Sequence, residues 1–139
     1  SFFSFFYILL SPDGRFVATL AGHPPILKLD SAGNVVERLG RGAYPLGVKN
    51  GIFWEETHGE LEEGEQLLLH SDGLTEARNV SDDELGDAYV ENVASRHQGS
   101  SAQKLVDNLV TEWRLFTGGR PPEDDVSIAV IGKVSRRGT

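Results

Sequence analysis

Closely spaced turn residues divide the first forty residues into runs that are too short for helices. The turns are "SPDGR" at 11–15, "GHPP" at 22–25 and "SAGN" at 31–34. The runs between them are apolar or alternate apolar and polar residues, which is the pattern of β-strands. We predict that residues 2–39 form a four-stranded β-meander, and that "IFWEETHGEL" and "QLLLH" form further strands.

The hydrophobic period changes in the second half of the chain. Two capping-box patterns, Ser81 with Glu84 and Ser100 with Gln103, predict the starts of two helices. The second helix should end at "GG", residues 118–119, and bury one apolar stripe, with Trp113 largely buried. That stripe consists of Ala102, Leu105, Val106, Leu109, Val110, Trp113 and Phe116. The final apolar run, "VSIAVIG", predicts a central strand.

Composition excludes several classes of protein and partner. The 139 residues, 39% hydrophobic and 24% charged, are typical of a globular chain that is one domain or part of one. A net charge of -8 argues against nucleic-acid binding and against an anionic membrane partner. The longest apolar run, at 2–10, is about half as long as a membrane span and predicts a strand instead of membrane insertion.

The chain has no cysteine, which excludes disulfides and thiolate metal sites. This composition fits a reducing compartment, and we expect a cytoplasmic protein. Any metal must therefore be held by oxygen or imidazole ligands. The chain opens without Met directly on an aromatic strand, so we expect it to be part of a larger polypeptide.

Acidic residues stand at the ends of two predicted strands. Asp72 follows "QLLLHS", and Asp124 with Asp125 precedes "VSIAVIG". If these strands are antiparallel neighbours, the carboxylates meet at one edge of a sheet, where they would suit a hard cation such as Mg²⁺ or Mn²⁺. Gly73 would leave room beside Asp72 for water and phosphate. This pattern predicts a metal site but no named reaction.

Each of these acidic positions also has a purely structural interpretation. Asp72–Gly73 is a strong hairpin-turn signal, because both residues tolerate positive φ. Asp124 and Asp125 follow a Pro-Pro pair, where aspartates commonly accept backbone hydrogen bonds in a turn. The residues taken alone leave both interpretations open.

Five stretches in order carry a resemblance that covers residues 1–134 and leaves 135–139 as a tail. They are "AGHPPILKL", "YPLGV", "LEEGEQLLLHSDGLTEARN", "DELGDAYV" and "PPEDDVSIAVI". Together they resemble the C-terminal half of the SpoIIE-like branch of the metal-dependent protein serine/threonine phosphatases. The resemblance implies an α+β fold, an antiparallel β-sandwich flanked by helices in an α-β-β-α arrangement, of which this chain holds the C-terminal part.

The resemblance also implies a site of two Mn²⁺ or Mg²⁺ ions in the complete domain, where a metal-bridged water attacks phosphoserine or phosphothreonine. By motif, Asp72 and Asp124 would be metal ligands, with Gly73 and Asp125 as neighbours of the metals. His23 in "AGHPP" is a candidate general acid, although we favour a structural role in a strand–loop signature.

Two further points concern this site, the histidine and serine that precede Asp72 and a motif that the chain lacks. We assign His70 and Ser71 no catalytic role. The family's first metal-binding motif, of the Asp-x-x-Gly-His-Gly type, is matched by no residue here, so the site within this chain is incomplete.

The resemblance implies a phosphatase acting on a phosphorylated regulatory protein, such as an anti-sigma factor antagonist, with sensor or regulatory domains upstream on the parent polypeptide. The alternative is a non-catalytic binding or scaffold module, either a pseudophosphatase or a half-domain. A plain cation-binding domain has less support, because the chain has no Asp-x-Asp-x-Asp-Gly loop. The oligomeric state is left open.

Overall fold

Two antiparallel sheets and three helices make up the part of the chain that the computed structural model describes, residues 5–21, 23–40, 55–97 and 99–134. The sheets have the strand orders β1-β2-β5 and β4-β3-β6-β7. The strands are β1 (Phe5–Leu10), β2 (Arg15–Ala21), β3 (Ile26–Leu29), β4 (Val35–Leu39), β5 (Glu55–Glu60), β6 (Gln66–His70) and β7 (Ile128–Gly132). The helices are α1 (Asp72–Thr75), α2 (Asp87–Arg96) and α3 (Ala102–Thr117). The stretch "YPLGV" and the predicted tail at 135–139 lie outside the described residues.

Two hydrophobic cores lie on opposite faces of the second sheet. Successive side chains of a strand point to opposite faces, and in β6 Leu67 and Leu69 join the core against the first sheet, whereas Leu68 joins the core under the helices. Val93 of α2 and Leu105 of α3 belong to this second core. The predicted α+β architecture of two packed antiparallel sheets with helices is confirmed, and the described helices α2 and α3 pack on the β4-β3-β6-β7 sheet.

The predicted β-meander over residues 2–39 is wrong, although both of its hairpins form. β1 pairs with β2 and β3 pairs with β4, but β2 and β3 belong to different sheets. Pro24 and Pro25 separate them, and proline has no N–H with which to continue a ladder. The free edge of β2 is instead taken by β5. β7, predicted as a central strand, lies at the edge of the described second sheet, beside β6.

The first predicted capping box is also wrong, because α2 begins at Asp87. Ser81 and Glu84 lie in a turn before the helix. There the side-chain oxygen of Asn79 accepts hydrogen bonds from the N–H groups of Ser81 and Asp83, each at 2.9 Å. A local side-chain bond of this kind offers the backbone an alternative to helix.

The second capping box is displaced by one residue. Ser101, not Ser100, caps α3, and its hydroxyl oxygen accepts a hydrogen bond from the N–H of Lys104 at 3.2 Å. The helix ends as predicted at Gly118, whose φ of 61° is in the left-handed region. Among the described residues, no helix combines the length and the apolar character needed to cross a membrane.

The apolar stripe of α3 is buried at its centre and only half-buried at its end. Leu105 and Leu109 are 2% exposed, whereas Trp113 packs against the edge of the same core and keeps part of its surface in solvent. The expectation that Trp113 packs on the sheet is confirmed, and its indole Nε1 is buried, although the residue is less buried than Leu105 and Leu109. It lies about one helical turn beyond Leu109.

β1 is the edge strand of the described first sheet and carries apolar side chains on both faces. Leu10 is paired with Phe16, whose side chain is buried between the sheets, so Leu10 and Phe6 share the inner face. Tyr7 and Leu9 lie on the outer face. The exposed fractions are 41% for Phe6, 60% for Tyr7, 58% for Leu9 and 44% for Leu10.

Candidate functional site

The two acidic segments meet at one end of the second sheet. β6 and β7 are antiparallel neighbours, with His70 opposite Ile128. One residue further on, the N–H of Ser71 donates to the carbonyl oxygen of Ser127 at 3.0 Å. The chain that leaves β6 toward Asp72 therefore runs beside the chain that enters β7, and the predicted arrangement of these strands is confirmed.

The hydroxyl of Ser71 joins these two segments. It donates to the carbonyl oxygen of Asp125 at 3.0 Å and accepts from the N–H of Ser127 at 2.9 Å. Ser71 is also the N-cap residue of α1, but its side chain makes no capping bond within that helix. Ser71 was assigned no catalytic role, and its hydrogen bonds orient the segment that carries Asp125.

Asp72 and Gly73 do not form a hairpin turn. They begin α1, a single helical turn, and Gly73 is not among the glycines with positive φ. The lack of a side chain is required for another reason, since a Cβ on residue 73 would overlap with the carbonyl oxygen of Asp125. The backbone of the facing segment occupies the position of that Cβ, but Gly73 also borders an open cavity of about 410 Å³, so room for water and phosphate beside Asp72 stays a prediction.

Asp124 and Asp125 are both exposed and sit at the start of the segment that enters β7. Asp124 Oδ1 accepts a hydrogen bond from the N–H of Asp125 at 2.8 Å. This local bond is the one that the turn interpretation predicts. Asp124 also lines a cavity of about 410 Å³ together with Gly73 and Glu76, so the turn presents its carboxylate to an open space.

Glu76 is a third carboxylate that the sequence analysis did not single out. Partial desolvation raises its pKa, and the neighbouring carboxylates of Asp72, Glu84 and Asp124 raise the pKa further, against the opposing charge of Arg78. Glu76 lies four residues after Asp72, the spacing that brings side chains together on a helix. That spacing is the signal that could have identified it.

Glu76 lies between two openings. It lines the cavity that contains Asp124, and also a second cavity of about 360 Å³ that contains Asp72 and His23. Asp72 and Asp124 therefore each share a cavity with Glu76, on different sides of it. Three acidic side chains lie at this edge of the fold.

The described residues by themselves do not complete a metal site. They include no group of three or more histidines, aspartates or glutamates that could hold an ion. Asp72 and Asp124 nonetheless offer the oxygen donors that Mg²⁺ and Mn²⁺ prefer, and these ions keep several waters when one or two carboxylates bind them. Desolvation is the main cause of the raised pKa of Glu76, and the charges of Asp72 and Asp124, which a divalent cation would compensate, raise the pKa further. The residues present thus fit part of a divalent-cation site.

His23 is a packed ring beside this site. It is 7% exposed, its Nδ1 donates to the carbonyl oxygen of Pro24 at 2.8 Å, and its ring meets that of Phe6 edge-on with centroids 5.1 Å apart. Burial lowers the pKa of His23, and His70 lowers it further, although the Pro24 bond and Asp72 act in the opposite direction. These contacts agree with the structural role that we favoured for His23.

Comparison with known proteins places the chain in a family. The family model described as Stage II sporulation protein E (SpoIIE) matches residues 1–133. The chain belongs to the SpoIIE family. It is 28% identical over 109 residues to the phosphoserine phosphatase RsbU of Bacillus subtilis, and the match covers 78% of this chain and 32% of RsbU.

Solved structures of phosphatase domains share the fold. The phosphatase domain of SpoIIE from Bacillus subtilis, in a Mn-presoaked form, matches with a TM-score of 0.72 at 17% identity, covering 94% of this chain and 56% of that one. The SiaA-PP2C domain of Pseudomonas aeruginosa matches with a TM-score of 0.67 at 15% identity, covering 86% and 51%. The chain therefore spans about a third of the length of RsbU and little more than half of these domains.

Proposed function

We propose that this chain is part of a metal-dependent phosphatase that removes phosphate from phosphoserine or phosphothreonine in a regulatory protein. The observation that carries the proposal is the meeting of the Asp72 and Asp124 segments at one end of β6 and β7, with Glu76 between them. Membership of the SpoIIE family and similarity to a phosphoserine phosphatase support it.

In this proposal Asp72 and Asp124 hold Mn²⁺ or Mg²⁺, two ions in the complete domain, and Gly73 and Asp125 keep the two segments in contact. When bound, such ions supply Lewis acidity and lower the pKa of water. A phosphate dianion approaching this edge would be repelled by Asp72, Glu76 and Asp124, so the cations are needed for binding as well as for chemistry. The cavity beside Asp124 offers the phosphorylated side chain a place to enter.

For the substrate we propose a phosphorylated regulatory protein such as an anti-sigma factor antagonist, with sensor or regulatory domains on the same polypeptide controlling the activity. RsbU, the relative at 28% identity, is named as a phosphoserine phosphatase. A protein substrate is consistent with the wide opening at this edge, where Asp72 and Asp124 are both exposed.

The test is release of phosphate from a phosphoserine peptide by the full-length protein in millimolar Mn²⁺. Asp72→Asn and Asp124→Asn should each abolish turnover while leaving the circular dichroism spectrum unchanged, because each removes a charge and keeps the side-chain shape. Asp107→Asn is the matched control, since Asp107 is exposed on α3 and bonded to Gln103 at 2.9 Å. Wild-type turnover in both site variants would overturn the proposal.

The second candidate function is a non-catalytic binding module. It is favoured by one observation, that the described residues contain no group of three or more potential metal-binding side chains. The full-length sequence separates the two functions. An Asp-x-x-Gly-His-Gly motif upstream of this chain would favour the enzyme, and a full-length protein without Mn²⁺-dependent turnover would favour the module.

A further inference from the structure

One guanidinium group connects the two segments that carry the candidate ligands. Arg120 Nη1 donates to the carbonyl oxygen of Asn79 and to Asp82 Oδ1, each at 3.0 Å. Its Nη2 donates to Glu123 Oε1, also at 3.0 Å. The first two acceptors belong to the turn that follows Glu76, and the third belongs to the residue directly before Asp124.

The backbone between Arg120 and Asp124 contains two prolines, which limit how freely Asp124 can move relative to Arg120. Pro121 and Pro122 separate Arg120 from Glu123, and each proline ring restricts its own φ. These restricted angles and the Arg120–Glu123 bond hold the stretch from Arg120 to Glu123, which Asp124 follows directly in the chain. The Arg120 side chain is 32% exposed, whereas those of Asp82 and Glu123 are 69% and 67% exposed. The bond to the carbonyl of Asn79 is therefore the most protected of the three from solvent.

Arg120 borders the candidate site, so it can affect that site as well as the stability of the fold. It lines the cavity of about 410 Å³ that also contains Glu76 and Asp124. Ser71 and Gly73 hold the two segments together on the strand side, whereas Arg120 holds them together on the cavity side. The segment that contains Asp124 is thus bonded to its neighbours from two directions.

We propose that Arg120 is a positioning residue that presets Asp124 for cation binding and thereby sets the affinity of the site for Mn²⁺ or Mg²⁺. This inference depends on the metal role proposed above for Asp72 and Asp124. Groups that orient metal ligands typically contribute a factor of about 10–100 to metal affinity. The planar fork of arginine suits this role because it holds several acceptors at once in fixed directions.

A simple charge effect predicts the opposite result. The positive charge of Arg120 near the site would by itself weaken cation binding, so its removal would strengthen it. The carboxylates of Asp82 and Glu123 compensate that charge, and we therefore expect the loss of geometry to outweigh the loss of repulsion. The sign of the change in Mn²⁺ affinity separates the two effects.

The experiment measures Mn²⁺ binding to the full-length protein by titration, with the electron paramagnetic resonance signal of free Mn²⁺ as the readout. Arg120→Ala should raise the dissociation constant about tenfold or more. Arg120→Lys should give a smaller increase, because one ammonium group cannot span all three acceptors. At saturating Mn²⁺ the kcat of Arg120→Ala should recover most of the wild-type value, which a general loss of folding would not allow.

Arg96→Ala is the matched control, because Arg96 also joins two elements, pairing with Glu112 at 3.4 Å between α2 and α3, away from the candidate site. Its Mn²⁺ affinity should equal that of the wild type. If Arg120→Ala does not fold, Glu123→Ala tests the same bridge from the other side and should also weaken binding.

Unchanged or tighter Mn²⁺ binding by the Arg120 and Glu123 variants would overturn the inference, as would a wild-type protein that binds no Mn²⁺. Phosphopeptide turnover is measured on the same samples. A wild-type protein that binds Mn²⁺ without turnover would contradict the proposed function, while the affinities would still decide the role of Arg120.

Discussion

Gly73 and Asp125 are in backbone contact across the ends of β6 and β7, and a Cβ on residue 73 would overlap with the carbonyl oxygen of Asp125. Backbone cannot yield as a flexible side chain can. Gly73→Ala should therefore displace the segment that carries Asp124, lower the free energy of unfolding by about 1–3 kcal/mol as overpacking does, and weaken Mn²⁺ binding.

Urea denaturation and Mn²⁺ titration of the same variant check both effects. Gly132→Ala in β7 is the control, because its added Cβ would meet only ordinary contacts, the nearest being Gln66 Cγ at 3.5 Å. Equal stability and affinity in the two variants would show that the contact at Gly73 can relax.

The raised pKa of Glu76 predicts a pH-dependent effect on stability. A carboxyl whose pKa is raised in the folded state favours folding when protonated, and this contribution is lost as the pH rises through the folded-state pKa. Without metal, Glu76→Gln should therefore be more stable than the wild type at pH 7, by less than about 1 kcal/mol because the side chain is exposed.

The difference between Glu76→Gln and the wild type should shrink as the pH falls through the raised folded-state pKa and should vanish below 4.5, the ordinary pKa of glutamate. Thermal unfolding in EDTA at several pH values measures it. Glu63→Gln, in the exposed turn before β6, is the control. A Glu76→Gln variant that is less stable than the wild type at pH 7 would show that Glu76 makes a favourable contact instead.

The two leucines of α3 differ in burial and should differ in energetic role. Leu109 is 2% exposed and Leu115 is 72% exposed. Leu109→Ala should lower the free energy of unfolding by about 2–5 kcal/mol, since it leaves a cavity under the helix, and Leu115→Ala should change it by less than about 0.5 kcal/mol. Urea denaturation measures both, and similar losses would mean that α3 packs through another face.

Residues 1–139 by themselves should hydrolyse phosphoserine peptides or p-nitrophenyl phosphate negligibly, even in millimolar Mn²⁺. Asp72 and Asp124 would leave such an ion largely hydrated and weakly bound. The full-length protein should be active and should lose its activity in EDTA. Strong Mn²⁺-dependent turnover by the 139-residue chain would reveal a ligand that neither the sequence nor the described geometry identifies.

Local signals in the sequence predicted the strands well because turn residues and short apolar runs act over a few positions. The choice of strand partner is not local. "GHPP" shows that β2 ends, but the move of β3 to the other sheet depends on β5, which comes more than thirty residues after β2 and pairs with it. The same limit applies to α2, where Asn79 accepts hydrogen bonds from the N–H groups of Ser81 and Asp83 and holds the predicted cap in a turn.

The motifs and the positions of the predicted strands were enough to predict part of the candidate site. Asp72 and Asp124 were named from their positions at strand ends, and the pairing of β6 with β7 brings those ends together. Ser71 and Arg120 were missed because their importance lies in three-dimensional neighbours, whereas the four-residue spacing from Asp72 could have indicated Glu76. Nothing in the residues around Arg120 indicates that it bonds to Asn79, forty-one positions earlier.

The apolar surface of β1 has a practical consequence for work on the 139-residue chain. In the described part of the first sheet, β1 is an edge strand with exposed Phe6, Tyr7, Leu9 and Leu10, which can offer backbone hydrogen-bonding groups and apolar side chains to a second molecule. Self-association by edge-to-edge pairing should therefore increase with concentration and limit the solubility of this fragment. Tyr7→Lys or Leu9→Lys, on the outer face of β1, should reduce this self-association without disturbing the core.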